Sequence, residues 1–68
     1  MRDKTIVLGV SGGIAAFKAA ALASRLTQMG NRVIVVMTRG AKQFVTPLTF
    51  QSLTHQAVYC DVFDEQDP

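Results

Sequence analysis

Sixty-eight residues make at most one small domain, and a chain of this size buries only about 60% of the surface that its unfolded form exposes. Hydrophobic residues make up 49% of the chain, with two Pro and no Trp, which excludes a disordered chain, and no apolar run approaches the ~20 residues that cross a bilayer. The formal net charge of +2 hides an asymmetry, because all seven Lys and Arg lie at or before Lys42 while four of the five acids lie at Asp61 or beyond.

Along the chain, Met1, Arg2, Asp3 and Lys4 lead into a six-residue apolar run that is too short and too soon interrupted for a signal peptide, and no membrane partner is expected. Cys60 stands alone and has no internal partner for a disulfide; with the missing export signal this points to the cytoplasm. The run Thr5–Val10 is almost continuously apolar, as expected of a central parallel strand covered on both faces. Ser11, Gly12 and Gly13 then make a tight turn. From Ile14 to Met29 the large apolar residues Ile14, Phe17, Leu22, Leu26 and Met29 recur at helical steps, with Lys18, Arg25 and Gln28 on the other side, so an amphipathic helix is expected to bury those large residues. Gly30 supplies its stop, and Arg32–Met37 is a second buried strand rich in β-branched residues. The spacing predicts a β-α-β unit over residues 4–37, with both strands parallel and central and a right-handed crossover.

After the second strand, Thr38, Arg39, Gly40 and Ala41 form another strand-to-helix turn. Pro47 suits the first turn of a short helix with Thr46 as its N-cap. Thr54, His55 and Gln56 read as a loop, and residues 58–63 as a short edge strand or an extended connection. No repeat or low-complexity segment is present. Two strands and one long helix leave a sheet face and edges uncovered. Residues 1–68 are therefore expected to be the N-terminal part of a single larger α/β domain, truncated here, or a chain stabilised by partners.

A glycine turn opening a helix is suited to an anion, because the first N–H groups of a helix lack internal acceptors and sit at the positive end of its dipole. A ligand-free β-to-α turn explains the same residues, so the ligand must be sought elsewhere. A dinucleotide fingerprint fails: with Gly9 as the first glycine, Ser11 and Ile14 stand where the other two belong. The second strand ends in Thr38 and Arg39 rather than in the acid that holds a ribose diol. No phosphate-binding loop of the G-x-x-x-x-G-K-[ST] type occurs. The carboxyl ends of neighbouring strands converge, so both turns can face one mononucleotide such as FMN. The basic residues are spread singly over a helix, a turn and a strand end, which argues against nucleic acid, and no metal site is expected.

Three stretches carry a resemblance: the run from Gly9 to Lys18, the run Val35-Val36-Met37-Thr38, and the run from Ala41 to Gln51 with Thr46-Pro47-Leu48-Thr49-Phe50-Gln51 at its end. Together they resemble the start of the bacterial phosphopantothenoylcysteine decarboxylases, FMN-dependent members of the flavin-containing cysteine decarboxylase family, over residues 4–64. In bacteria that enzyme is usually fused to a CTP-dependent ligase. The resemblance implies a flavodoxin-like, Rossmann-type α/β fold with a parallel sheet and helices on both faces, of which this chain holds the β-α-β-α portion. It also implies a lyase that converts 4′-phosphopantothenoylcysteine to 4′-phosphopantetheine in coenzyme A biosynthesis, through oxidation of the substrate thiol by the flavin. Homo-oligomers, trimers or dodecamers, are implied as well. By the same resemblance Gly13, Ile14 and Ala15 contact FMN, Ser11 and Gly12 shape the turn, and Thr38, Arg39 and Gly40 give a second contact. Phe44 matches an aromatic position near flavin or substrate. The family's catalytic His, its third flavin loop and its late Cys fall after residue 68, so no catalytic residue is expected here and the isolated segment is expected to be inactive. Two other readings are a flavin prenyltransferase of the same fold, against which the run from Thr46 to Gln51 argues, and a noncatalytic flavin-binding subunit such as a dipicolinate synthase flavoprotein chain.

The remaining residues have plainer roles. His55 is expected to be solvated or to cap a helix, and Cys60 to be a small packing residue. Lys18 and Arg25 belong to a solvated helix face. Phe17 reads as core or interface packing, and apart from the resemblance Phe44 and Phe50 read as helix core.

Overall fold

The computed structural model describes residues 3–60; of the edge strand or extended connection expected at 58–63, residues 59–60 form a strand and the part after Cys60 lies outside the described residues. The chain runs β1 (Thr5–Val10), α1 (Ala15–Gln28), β2 (Arg32–Met37), a single 3-10 turn (Ala41–Gln43), α2 (Pro47–Thr54) and β3 (Tyr59–Cys60). The strands form one sheet of order β1-β2-β3, and both pairings are parallel. This is a partial flavodoxin-like α/β fold, the expected β-α-β-α portion followed by a third parallel strand.

The register explains where the core sits. Ile6 pairs with Val33, Leu8 with Val35 and Val10 with Met37, and in a parallel pair such partners point to the same face. Val33, Val35 and Met37 are fully buried. Both helices pack on β2 and on each other, which puts them together on that face, with Phe50 of α2 fully buried in the core.

Helix α1 meets the sheet through small side chains. Ala16 and Ala23 are buried, with Ala19, Ala20 and Leu26 packed alongside them. Of the large residues expected in the core, only Leu26 is there. Ile14, Phe17, Leu22 and Met29 are 73%, 53%, 43% and 41% exposed. The expected orientation is thus corrected by about half a turn. An alanine stripe lets the helix axis approach the sheet closely, and residues 14, 17, 22 and 29 lie around the helix from it.

The first strand also departs from expectation. Coverage on both faces is not found: Thr5, Val7 and Gly9 are exposed, with Val7 at 67%, and among the described residues β1 is an edge strand. Because both helices share one face, the opposite one, carrying Val7, Ile34, Val36 and Tyr59, has no cover among the described residues. The expected uncovered sheet face is therefore present.

Residues 54–56 are not wholly loop either. Thr54 closes α2, its hydroxyl donating to the Phe50 carbonyl at 2.9 Å and accepting from the Gln56 N–H at 3.3 Å. His55 is the C-cap, left-handed at φ 61°, with its N–H on the Gln51 carbonyl. At the other end of α2, Thr46 accepts from the Thr49 N–H and Pro47 opens the helix, as the sequence predicts.

Asn31 ties the end of α1 to the start of the sheet. It is 6% exposed; its side chain accepts from the Lys4 N–H at 3.2 Å and donates to the Leu26 carbonyl at 3.0 Å. Asn31→Ala removes both part-buried side-chain hydrogen bonds while the Asn31 N–H stays on the Leu26 carbonyl, and a loss of about 1 kcal/mol is expected from the urea midpoint of the full chain; an unchanged midpoint would show that water replaces the amide without cost. His55→Gly relieves a left-handed backbone, and a gain of about 1 kcal/mol in the same measurement is expected.

Candidate functional site at the paired turns

The carboxyl ends of β1 and β2 lie side by side, with Val10 paired to Met37 and the Thr38 N–H donating to the Val10 carbonyl at 3.0 Å. The turn that follows each strand therefore begins at the same height. A Cβ placed on Gly12 would stand 3.3 Å from the carbonyl carbon and oxygen of Gly40, a distance tighter than side chains ordinarily take. A side chain at Gly12 would need the Gly40 backbone to give by a few tenths of an ångström, so the two turns approach here backbone to backbone.

Gly13 is needed for a different reason. Its φ is 90°, a conformation that L side chains rarely adopt. No atom lies within 4 Å of the position its Cβ would take. From here the chain enters α1 through Ile14, whose side chain makes no cap, and no acid stands in the first turn. The Ala16 and Phe17 N–H groups donate to the carbonyls of Gly13 and Ile14, each at 3.0 Å. Among the described residues, no hydrogen bond is donated by the N–H groups of Gly12, Gly13, Ile14 or Ala15. The start of α1 is a set of oriented donors at the positive end of a helix dipole, with no anionic side chain to satisfy them.

The second turn is organised from within. Thr38 is 8% exposed, and its hydroxyl oxygen accepts from the Ala41 N–H at 3.3 Å. That side chain braces its own turn, leaving the hydroxyl proton as its remaining donor. Arg39 is exposed and Gly40 half-buried. Phe44, 44% exposed, meets Phe17 edge to face, with ring centroids 6.2 Å apart and planes at 84°.

All nine residues expected at the site, Ser11, Gly12, Gly13, Ile14, Ala15, Thr38, Arg39, Gly40 and Phe44, thus lie on or just beyond the two neighbouring turns. His55 and Cys60 do not join them. His55 is exposed beyond the end of α2, on the side of the sheet where β3 begins, and Cys60 packs partly buried against the core. The Gly12 to Gly40 approach and the Phe17 to Phe44 pair were not anticipated from the sequence. The available signal was that both aromatics lie within a few residues of turns ending adjacent parallel strands. A shallow depression of about 310 Å³ along α1, lined by Ala21, Leu22 and Arg25, stands apart from the turns. Among the described residues no three His, Cys, Asp or Glu come together as metal ligands, and no helix is long and apolar enough to cross a membrane.

The flavoprotein family model matches residues 1–67. The chain is 52% identical over 68 residues to the coenzyme A biosynthesis bifunctional protein CoaBC of Bacillus subtilis, all of this chain and 17% of that protein. It is 54% identical over 65 residues to a probable phosphopantothenoylcysteine decarboxylase of Streptococcus mutans, 96% of this chain and 36% of that protein. The CoaBC protein of Borreliella burgdorferi is 35% identical over 63 residues, covering 93% of this chain and 16% of the relative. The chain therefore spans only about a sixth to a third of these proteins' lengths. A match that takes in nearly every residue of the chain, its two glycine turns included, leaves one conclusion: it belongs to the flavoprotein family.

Proposed function

We propose that this chain is the N-terminal part of a flavoprotein domain that binds FMN and decarboxylates 4′-phosphopantothenoylcysteine to 4′-phosphopantetheine, a step of coenzyme A biosynthesis. The observation that carries this reading is the 52% and 54% identity, over essentially the whole chain, to proteins named for coenzyme A biosynthesis and for that decarboxylation.

The residues at the paired turns fit the phosphate end of FMN. Unbonded N–H groups at an uncapped helix start suit an anion, and at Gly13 no atom lies within 4 Å of where a Cβ would stand, so a ligand can come close to the backbone there. In this reading the N–H groups of Gly13, Ile14 and Ala15 hold the phosphate, with Ser11 and Gly12 shaping their turn. Thr38, Arg39 and Gly40 supply the second contact, Arg39 adding a cation at the exposed rim. Phe44 offers an apolar surface beside the flavin ring. Bound FMN supplies the two-electron oxidation and re-reduction of the cysteine portion that loss of CO₂ requires. This segment's part is to anchor and orient that group; proton transfers and thiol chemistry belong to residues outside it. Leu22 and Met29, left exposed farther along α1, offer apolar surface for subunit contact, and the whole protein is read as a homo-oligomer, a trimer or an assembly of trimers, acting in the cytoplasm.

Two variants of the full chain test the site. Gly13→Val forces a β-branched side chain into a left-handed position beside the phosphate, and fluorescence titration is expected to show FMN binding weakened tenfold or more, ~1.4 kcal/mol. His55→Ala, at the far end of α2, is expected to bind FMN within about twofold of the unaltered protein, as surface changes usually do. Equal losses in the two variants would overturn the site, and a full chain that binds FMN yet releases no CO₂ from 4′-phosphopantothenoylcysteine would overturn the reaction.

A further inference from the structure

We infer that Phe17 is a positioning residue of the proposed flavin site, holding the two turns at their working separation through its edge-on contact with Phe44. The inference rests on the FMN reading and adds to it a half-exposed residue outside the set expected at the site.

Each ring is fastened to one turn by backbone hydrogen bonds. The Phe17 N–H donates to the Ile14 carbonyl, as the Ala16 N–H does to that of Gly13. The Phe17 ring is thus carried by the same loop of backbone that turns the N–H groups of Gly13, Ile14 and Ala15 outward. On the other side the Phe44 N–H donates to the Ala41 carbonyl, and the Ala41 N–H to the carbonyl and hydroxyl of Thr38. Near the strand ends the turns are joined by the Thr38 N–H on the Val10 carbonyl and by the close approach of Gly12 to Gly40. The ring-to-ring contact at 6.2 Å and 84° adds a side-chain link farther along both turns, in the geometry that aromatic pairs prefer.

Exposure separates this role from core packing. Phe50 shows what a core phenylalanine is in this fold, fully buried, whereas Phe17 is 53% exposed and Phe44 44% exposed. Truncating Phe17 opens no internal cavity, so its cost falls on the relation of the turns rather than on the fold.

The test uses the full chain, unaltered and as Phe17→Ala, Phe17→Leu and Phe17→Tyr, each titrated by fluorescence with FMN and with riboflavin, which lacks the phosphate, and each melted without ligand. Phe17→Ala is expected to weaken FMN about tenfold, the upper range of an aromatic pair. Riboflavin, which meets only the Phe44 side of the site, should weaken clearly less than FMN, and the melting midpoint should change little. Phe17→Tyr, which keeps the ring edge, is expected to restore FMN binding to within about twofold, while Phe17→Leu, similar in bulk but without that edge, stays weak. Leucine binding FMN as well as phenylalanine would overturn the inference. So would equal losses of FMN and riboflavin with a lowered midpoint, which mark general packing. A folded, unaltered protein that binds no FMN overturns the site itself, and this inference with it.

Discussion

The parallel pairing of β1 with β2, kept in register to the last residue of each strand, is the constraint from which the rest of the site follows. Because Val10 and Met37 finish opposite one another, both strand-to-helix turns start from one line at the edge of the sheet. A slip of one residue would turn Val33, Val35 and Met37 out of the core. Their complete burial therefore locks the same register that brings Gly12 against Gly40. Stability of the core and alignment of the turns are one property of this chain.

That coupling explains why two glycines in sequence have unlike duties. Gly12 has a neighbour that a side chain would strike, and Gly13 has none but sits at φ 90°. The first shapes the contact between turns, and the second directs the chain into α1. The helix then starts without a side-chain cap or an acid in its first turn. Helix starts are ordinarily satisfied by Ser, Thr, Asp or Asn, as Thr46 does for α2. Within one short chain, one helix start is satisfied internally and the other is left with unbonded donors, the difference on which the proposed anion site rests.

Much of this was legible in the sequence, and the misses have physical causes. The β-branched run of β2, the stop at Gly30 and the Thr46 and Pro47 start of α2 depend on local preferences, and they were readable. The side of α1 that faces the sheet was not. Alanines line one side of that helix and large apolar residues another, and periodicity weighted by size selects the second. How near the helix approaches the sheet is decided by the facing side chains, which only the fold brings together. The apolar run of β1 marks the strand but not its surroundings, since which faces of a strand are covered is decided by elements distant in the chain. At the site, the two turns could be located from local chemistry, and their convergence inferred from strand adjacency. The Gly12 to Gly40 contact, 28 positions apart in the chain, depends on the three-dimensional path and leaves no local trace.

Turning the large residues of α1 outward has a consequence for what the site can hold. Ile14, Phe17 and Phe44 remain substantially exposed within reach of the helix start, so unbonded polar donors and apolar surface adjoin. A simple phosphate would use the donors and leave the apolar rim in water. A purely aromatic ligand would use the rim and leave the donors idle. In the proposed reading FMN joins an anionic end to a flat, largely apolar ring system, so that one ligand answers both halves of the surface. The rest of that apolar face, Leu22 and Met29 farther along α1, extends too far from the turns to serve the same ligand. In the proposed reading of a homo-oligomer, that exposed surface is available for contact between subunits.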